Sequence, residues 1–188
     1  IHPCTLAFDA IQWLNPPRDL LSGAPPRASD LGAPTTDVRV YDLGVPVLGI
    51  CYGMQLTCHL LGGKVERANE REYGPARIDV NEAVGLLHGF ATGEQVDVWM
   101  SHGDRVEALP AGFRVIARSG NSPYAAVANT ERRIFGVQFH PEVVHTPRGV
   151  EMLRGFLFDV AGVEADWTPG NFVEQTVGAI RSQIGEAS

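Results

Sequence analysis

The stretch Pro46-Val47-Leu48-Gly49-Ile50-Cys51-Tyr52-Gly53-Met54-Gln55-Leu56 decides the fold. Its first half is apolar throughout, as expected of a buried strand in a parallel sheet. Its second half opens a helix. One sharp turn joins them, and a cysteine sits on that turn with a glycine two residues to either side. This is the cysteine form of the Gly-x-Ser-x-Gly strand–turn–helix device. A nucleophile on so tight a turn projects clear of both elements, and small glycines let neighbouring backbone approach closely. The helix aims its N–H groups and positive dipole end at the sulfur, which favours negative charge there or on an oxyanion beside it. The alternative is a buried structural thiol, since free cysteine is among the most buried residue types. The two glycines count against that alternative.

Upstream, the sequence predicts a short helix from Thr5 to Leu14, ended by Asn15-Pro16-Pro17, then a short strand from Arg18 to Ser22. Asp19 is out of character in such a strand. The loop Gly23-Ala24-Pro25-Pro26-Arg27 follows, and Asp37 to Leu43 reads as another short helix. Val45 to Ile50 is the buried strand and Tyr52 to Leu61 the helix behind Cys51. From Lys64 to Val80 short strands are expected, and Asn81 to His88 is irregular. Gln95 to Ser101 alternates as a strand and runs into His102-Gly103-Asp104, with Asp104 and Arg105 read as a solvated turn. Phe113–Arg118, Tyr124–Asn129 and Arg132–Phe139 are three more strands. Thr146 to Val160 is a helix with Met152, Leu153, Phe156 and Leu157 on one stripe, and Phe172 to Ile184 a last helix. The pattern suggests an α/β layer protein with a mixed sheet, in one domain over residues 1–188.

Composition narrows the class. The chain has 188 residues, 44% of them hydrophobic, and a net charge of −7. That charge argues against non-specific binding to nucleic acid or anionic membrane. No run of 18 apolar residues suggests a membrane span. Ile1-His2-Pro3-Cys4 does not have the form of a signal peptide, and the start reads as the end of a strand, as in a piece of something longer. Cys4, Cys51 and Cys58 have neither the count of a disulfide framework nor Cys-x-x-Cys spacing for zinc. A reduced, cytoplasmic enzyme without a metal is the expectation.

A cysteine nucleophile needs a base. Of the six histidines, His140 is best placed, at the end of the strand Ile134–Phe139. Active sites of open α/β sheets gather at the carboxyl ends of strands, where Cys51 also stands. Glu142 follows two residues on, with Pro141 stiffening the link. A carboxylate there can accept from the imidazole N–H and fix its tautomer, as the third member of a nucleophile–base–orienter triad. Taken singly, His140 reads as a loop histidine and Glu142 as a surface charge. His102 reads equally as a lining residue and as a structural loop histidine. Cys58 lies two turns past Cys51, about 10 Å along the helix, and reads as core packing.

Gly49-Ile50-Cys51-Tyr52-Gly53-Met54-Gln55 together with Gly136-Val137-Gln138-Phe139-His140-Pro141-Glu142 resembles the class I (triad) glutamine amidotransferases. Leu61–Glu66, Arg71-Glu72-Tyr73-Gly74, Val98–Asp104, Glu142–Thr146 and the start Ile1–Leu6 are similar to the amidotransferase domain of the GMP synthetase branch. The resemblance implies an open mixed sheet flanked by helices. It implies that the strand–helix–strand with which the family begins lies before Ile1 and is absent from these residues. It implies that Cys51 attacks the side-chain amide of glutamine, that His140 moves the proton and that Glu142 orients His140. It makes the N–H groups of Tyr52 and Ala24 the oxyanion donors, and Gln55, Ser101 and Gly103 glutamine-binding positions. Ala24 stands where the family's Ser-Gly-Gly-Pro loop has glycine, and alanine resists positive φ. The Ser-Gly-Gly-x-Asp-Ser loop that opens the branch's ATP pyrophosphatase domain does not occur. The resemblance therefore implies that ammonia passes to a partner domain or subunit that adenylates XMP, and that ATP and Mg²⁺ belong there, with no cofactor here. The other readings are a catalytically impaired regulatory or binding domain of the same fold, and a stand-alone γ-glutamyl hydrolase.

Overall fold

A computed structural model describes residues 7–14, 16, 19–22 and 33–164. The elements run α1 (Phe8–Leu14), β1 (Asp19–Leu21), a 3-10 turn (Val38–Asp42), β2 (Val47–Ile50) and α2 (Tyr52–Leu60). They continue with β3 (Lys64–Val80), a second 3-10 turn (Gly85–Leu87), β4 (Gln95–Ala108), β5 (Arg114–Ser119), β6 (Ala126–Asn129), β7 (Ile134–Val137) and α3 (Gly149–Arg154). Among the described residues the strands form one seven-stranded sheet in the order β1-β2-β7-β6-β5-β3-β4. β1, β2 and β7 are parallel, with Leu20 opposite Leu48 and Leu48 opposite Phe135. The remaining pairs are antiparallel. The expected open mixed sheet is present. The expectations for Ile1–Leu6, for Arg18, for the loop holding Ala24 and for the helix Phe172–Ile184 fall outside the described residues.

The apolar run at Val47–Ile50 arises because β2 is covered on both faces. Leu48 and Ile50 point to a core shared with Phe135, Val137, Leu86, Leu87, Met152 and Phe156. Val47 points the other way, into a cluster with Val40, Tyr41 and Ile134. On that second face Met54 and Cys58 of α2 pack on Val127 of β6. Each such fully buried aliphatic or aromatic side chain contributes about 1.5–3 kcal/mol over remaining in water.

Three elements differ from expectation. β3 is one strand of 17 residues, interrupted by an irregularity between Arg67 and Glu72. β4 does not stop at Ser101. It runs through Ser101-His102-Gly103-Asp104, and Arg105 pairs with Glu66, so the expected turn at Asp104-Arg105 is strand. The buried positions of β4 continue as Val96, Val98, Met100 and His102. A polar residue at the fourth hides the alternation. The helix expected from Thr146 starts at Gly149 and passes into a π-helical turn, Gly155–Val160. Gly155 there would bring a Cβ within 3.2 Å of the Leu86 carbonyl oxygen, so glycine lets that segment lie close to the chain below it.

Candidate active site

Cys51 stands between β2 and α2, at the N-cap of α2, with φ 51° and ψ −103°. A non-glycine residue held there stores strain on the order of 1–3 kcal/mol and persists only where its surroundings fix it. The fixing contacts are on either side. The Cys51 N–H donates to the Val137 carbonyl at 2.7 Å, and the Gln55 N–H donates to the Cys51 carbonyl at 3.2 Å. The flanking glycines are required by close approach. A Cβ on Gly49 would lie 2.6 Å from the Gly53 carbonyl carbon, and one on Gly53 would lie 1.9 Å from the Leu21 carbonyl oxygen. Cys51 is 8% exposed. Its sulfur lies 3.6 Å from the Ser101 carbonyl oxygen, and the Gln138 side-chain amide donates to it at 3.7 Å.

β7 carries the chain to the same end of the sheet, two residues short of Phe139 and three short of His140. The His140 N–H donates to the Trp99 carbonyl of β4 at 2.9 Å. The buried Thr146 hydroxyl donates to the His140 carbonyl at 2.6 Å and accepts from the Trp99 N–H at 3.1 Å. The His140 backbone is thereby anchored to β4 at the end of β7. The imidazole Nδ1 meets Glu142 Oε1 at 2.7 Å, the orienting contact expected of the pair. Hydrogen bonding to Cys51 raises the His140 pKa to about 9, against burial and with help from Glu142. These contacts favour the protonated imidazole. Cys51, His140 and Glu142 are thus brought together at one sheet edge.

The other expected residues fall around them. Tyr52 is the first residue of α2, and its hydroxyl donates to the Pro34 carbonyl. Gln55 is buried, and its side-chain amide donates to the Asp104 carbonyl at 2.8 Å and to Gln138 Oε1 at 3.2 Å. Ser101 and Gly103 lie on β4. Arg71 and Tyr73 come within 4 Å of where a Cβ on Gly103 would stand. Ala24 lies outside the described residues. His102 is buried structure, with Nε2 at 3.2 Å from Glu72 and Nδ1 at 3.0 Å from the Asp104 carbonyl. Cys58 is core, and burial pushes its thiol up to about 12. Among the described residues no three His, Cys, Asp or Glu converge as a metal-holding group. No helix among them is long and apolar enough to cross a membrane.

Two residues of the site escape a reading by residue type alone. Gln138 is fully buried between Val137 and Phe139, which point to the opposite core. A polar residue inside an apolar strand run was the available signal. Thr146, the first residue of the helix expected from sequence, lies before α3 and joins the His140 carbonyl to the Trp99 N–H.

The model for the glutamine amidotransferase class-I family matches residues 1–160. The chain belongs to the class-I glutamine amidotransferases. Among curated proteins this amidotransferase is 48% identical over 185 residues to a glutamine-hydrolysing GMP synthase of Heliobacterium modesticaldum, covering 98% of this chain and 36% of the relative. It is 48% identical over 187 residues to that of Mesorhizobium japonicum, covering 99% of this chain and 36% of the relative. The chain therefore spans 36% of the length of these relatives. Among solved structures it resembles a GMP synthase subunit from Thermoplasma acidophilum, with TM-score 0.69, 25% identity, and 82% and 77% of the two chains covered. It also resembles a glutamine amidotransferase of Methylobacillus flagellatus, with TM-score 0.58, 25% identity, and 68% and 52% covered.

Proposed function

We propose that this chain hydrolyses the side-chain amide of glutamine and supplies the ammonia to an XMP-aminating synthetase domain or subunit. The observation that carries the reading is the convergence of Cys51, on its strained turn, with the His140–Glu142 pair. The thiolate attacks the amide carbon. The N–H groups of Tyr52 and Ala24 receive the oxyanion, each such donor lowering the barrier by roughly 3–4 kcal/mol. His140 gives its proton to the departing ammonia, leaving a γ-glutamyl thioester on Cys51. Water, deprotonated by His140, then releases glutamate. Gln55, Ser101 and Gly103 hold the substrate. The domain itself needs no metal or organic cofactor, and ATP, Mg²⁺ and XMP belong to the partner. The free thiols of Cys51 and Cys58 suit a reducing, cytoplasmic setting.

The synthetase partner is supported by the relatives, which are named GMP synthases and extend well beyond the part this chain matches. The test is glutamate release from glutamine, with and without the synthetase partner, in the wild-type protein and in Cys51→Ala. Activity raised by the partner and abolished in the variant is expected. Equal hydrolysis by Cys51→Ala would refute the assignment of the nucleophile. Failure of a glutamine-analogue electrophile to label Cys51, even with the partner present, would favour an impaired domain of the same fold. Faster hydrolysis of γ-glutamyl peptides than of glutamine would favour a γ-glutamyl hydrolase.

A further inference from the structure

The Cys51 sulfur has a neighbour outside the triad. Gln138 lies on β7's extension, fully buried, with its side-chain nitrogen 3.7 Å from the sulfur. Its backbone is fixed by donation from its N–H to the Ala125 carbonyl at 2.9 Å. Its side-chain oxygen accepts from the Gln55 amide at 3.2 Å, while that same amide donates to the Asp104 carbonyl at 2.8 Å. The two contacts remove a degeneracy. An isolated glutamine amide presents oxygen or nitrogen with equal ease. Here the Gln55 N–H₂ group is committed to two oxygens, so it selects the Gln138 oxygen. The Gln138 N–H₂ group is left facing the sulfur.

We infer that Gln138 donates a hydrogen bond to the Cys51 sulfur in its anionic form, and that Gln55 is the positioning residue that sets the direction of that donor. The inference rests on the glutaminase reading for its consequence in turnover, though not for its consequence at the thiol. The anion occurs twice in the cycle. It is present before attack on the amide carbon. It returns when the tetrahedral adduct of water and thioester collapses, the C–S bond breaking and its electron pair staying on sulfur. A neutral donor aimed at that sulfur favours both species, because a hydrogen bond to a charged partner is stronger than one to a neutral one. It does so without a proton of its own to lose. His140, with Glu142 behind it, is the ionisable group identified beside the sulfur, so donor and acid are separate groups.

The test uses the full-length protein with Gln138→Leu, which removes donor and acceptor, and Gln138→Glu, which keeps the volume and the acceptor for Gln55 but replaces the donor. Iodoacetamide alkylation of Cys51 at one fixed pH, followed by peptide mass spectrometry, reads the thiol without reference to glutamine. Both variants are expected to alkylate about 10- to 100-fold more slowly, the span set by loss of a hydrogen bond to a charged group. Gln55→Leu is expected to slow alkylation less, and to add nothing when combined with Gln138→Leu. In glutamine hydrolysis kcat falls in both Gln138 variants while KM does not rise. Should Gln138→Leu fail to fold, Gln138→Glu carries the test alone. Alkylation within twofold of wild type in the folded variants, or a raised KM with unchanged kcat, overturns the inference. A wild-type protein that hydrolyses no glutamine even with the synthetase partner present, yet shows the alkylation differences, would refute the glutaminase reading and leave this one standing.

Discussion

Replacing Gly53 by alanine sets a gain in helix propensity against a loss of space. Gly53 lies one residue inside α2, where alanine is favoured over glycine by about 1 kcal/mol. The new Cβ would stand 1.9 Å from the Leu21 carbonyl oxygen and 2.6 Å from its carbon, and real contacts stay above 3.0 Å. The obstacle is backbone, so no side chain can swing aside. β1 and α2 must part by more than about 1 Å, an overpacking that costs up to about 3 kcal/mol. The net is a destabilisation of about 2 kcal/mol, or a fall in Tm of roughly 4–8 °C for a protein of this size. β1 is the three-residue edge of the described sheet, held by β2 alone, so β1 is the element that moves. Leu21 leads in sequence to Ser22-Gly23-Ala24-Pro25, the segment in which the proposed function puts the second oxyanion donor. Loss of one such donor lowers kcat by roughly 100- to 1,000-fold. Thermal unfolding and glutamine hydrolysis on Gly53→Ala check both figures. A variant as stable as wild type or more so, with unchanged kcat, would refute the packing argument and its link to the loop.

Two further outcomes follow from ionisable groups. His140 has a raised pKa of about 9 against an ordinary 6.5, so the pair's stabilisation is complete below about pH 6.5 and is lost as pH rises to about 9. The alkaline limb of the glutamine-hydrolysis profile should sit near pH 9, and Glu142→Gln should move it only part of the way toward 6.5, because hydrogen bonding to Cys51 is the larger cause. A limb unmoved in that variant would show that Glu142 does not act on His140. Asp19 has a buried Oδ2 with no hydrogen-bond partner among the described residues, and burial raises its pKa. Asp19→Leu should therefore stabilise the protein by about 1 kcal/mol at neutral pH. Urea unfolding checks this, and the gain should shrink in acid as the wild-type carboxyl takes its proton.

The turn at Cys51 was legible because its demands are local. Positive φ at Cys51 and close approach at Gly49 and Gly53 leave a mark in a five-residue window. His140 and Glu142 were legible because a strand end and a two-residue spacing suffice to place them. β4 was not, since His102 occupies an inward position with a polar side chain and its partner Glu72 stands on another strand. Only the pairing of β3 with β4 makes Ser101–Asp104 a strand rather than a turn. Gln138 was hidden for a similar reason. Its partners Gln55, 83 positions away, and Cys51, 87 positions away, are neighbours only after β2 and β7 have paired. Residue type announces chemistry, whereas the direction of an amide is a property of the packed sheet.

The pairing of β2 with β7 also bears on how the molecule is made. β3 and β4 are consecutive strands of one hairpin, joined by the segment from Asn81 to Glu94 that carries the second 3-10 turn. Val47–Ile50 must instead find Ile134–Val137, with β3, β4, β5 and β6 lying between them in the chain. Distant closures cost more entropy and form more slowly than near ones. The hairpin arm is thus expected to form before the parallel centre. Until it is complete, Cys51 has its thiol but neither His140 nor Gln138 beside it. In a chain where β2 and β7 have not paired, the Cys51 thiol lacks the surroundings that His140 and Gln138 give it, and these arrive together with that long-range contact.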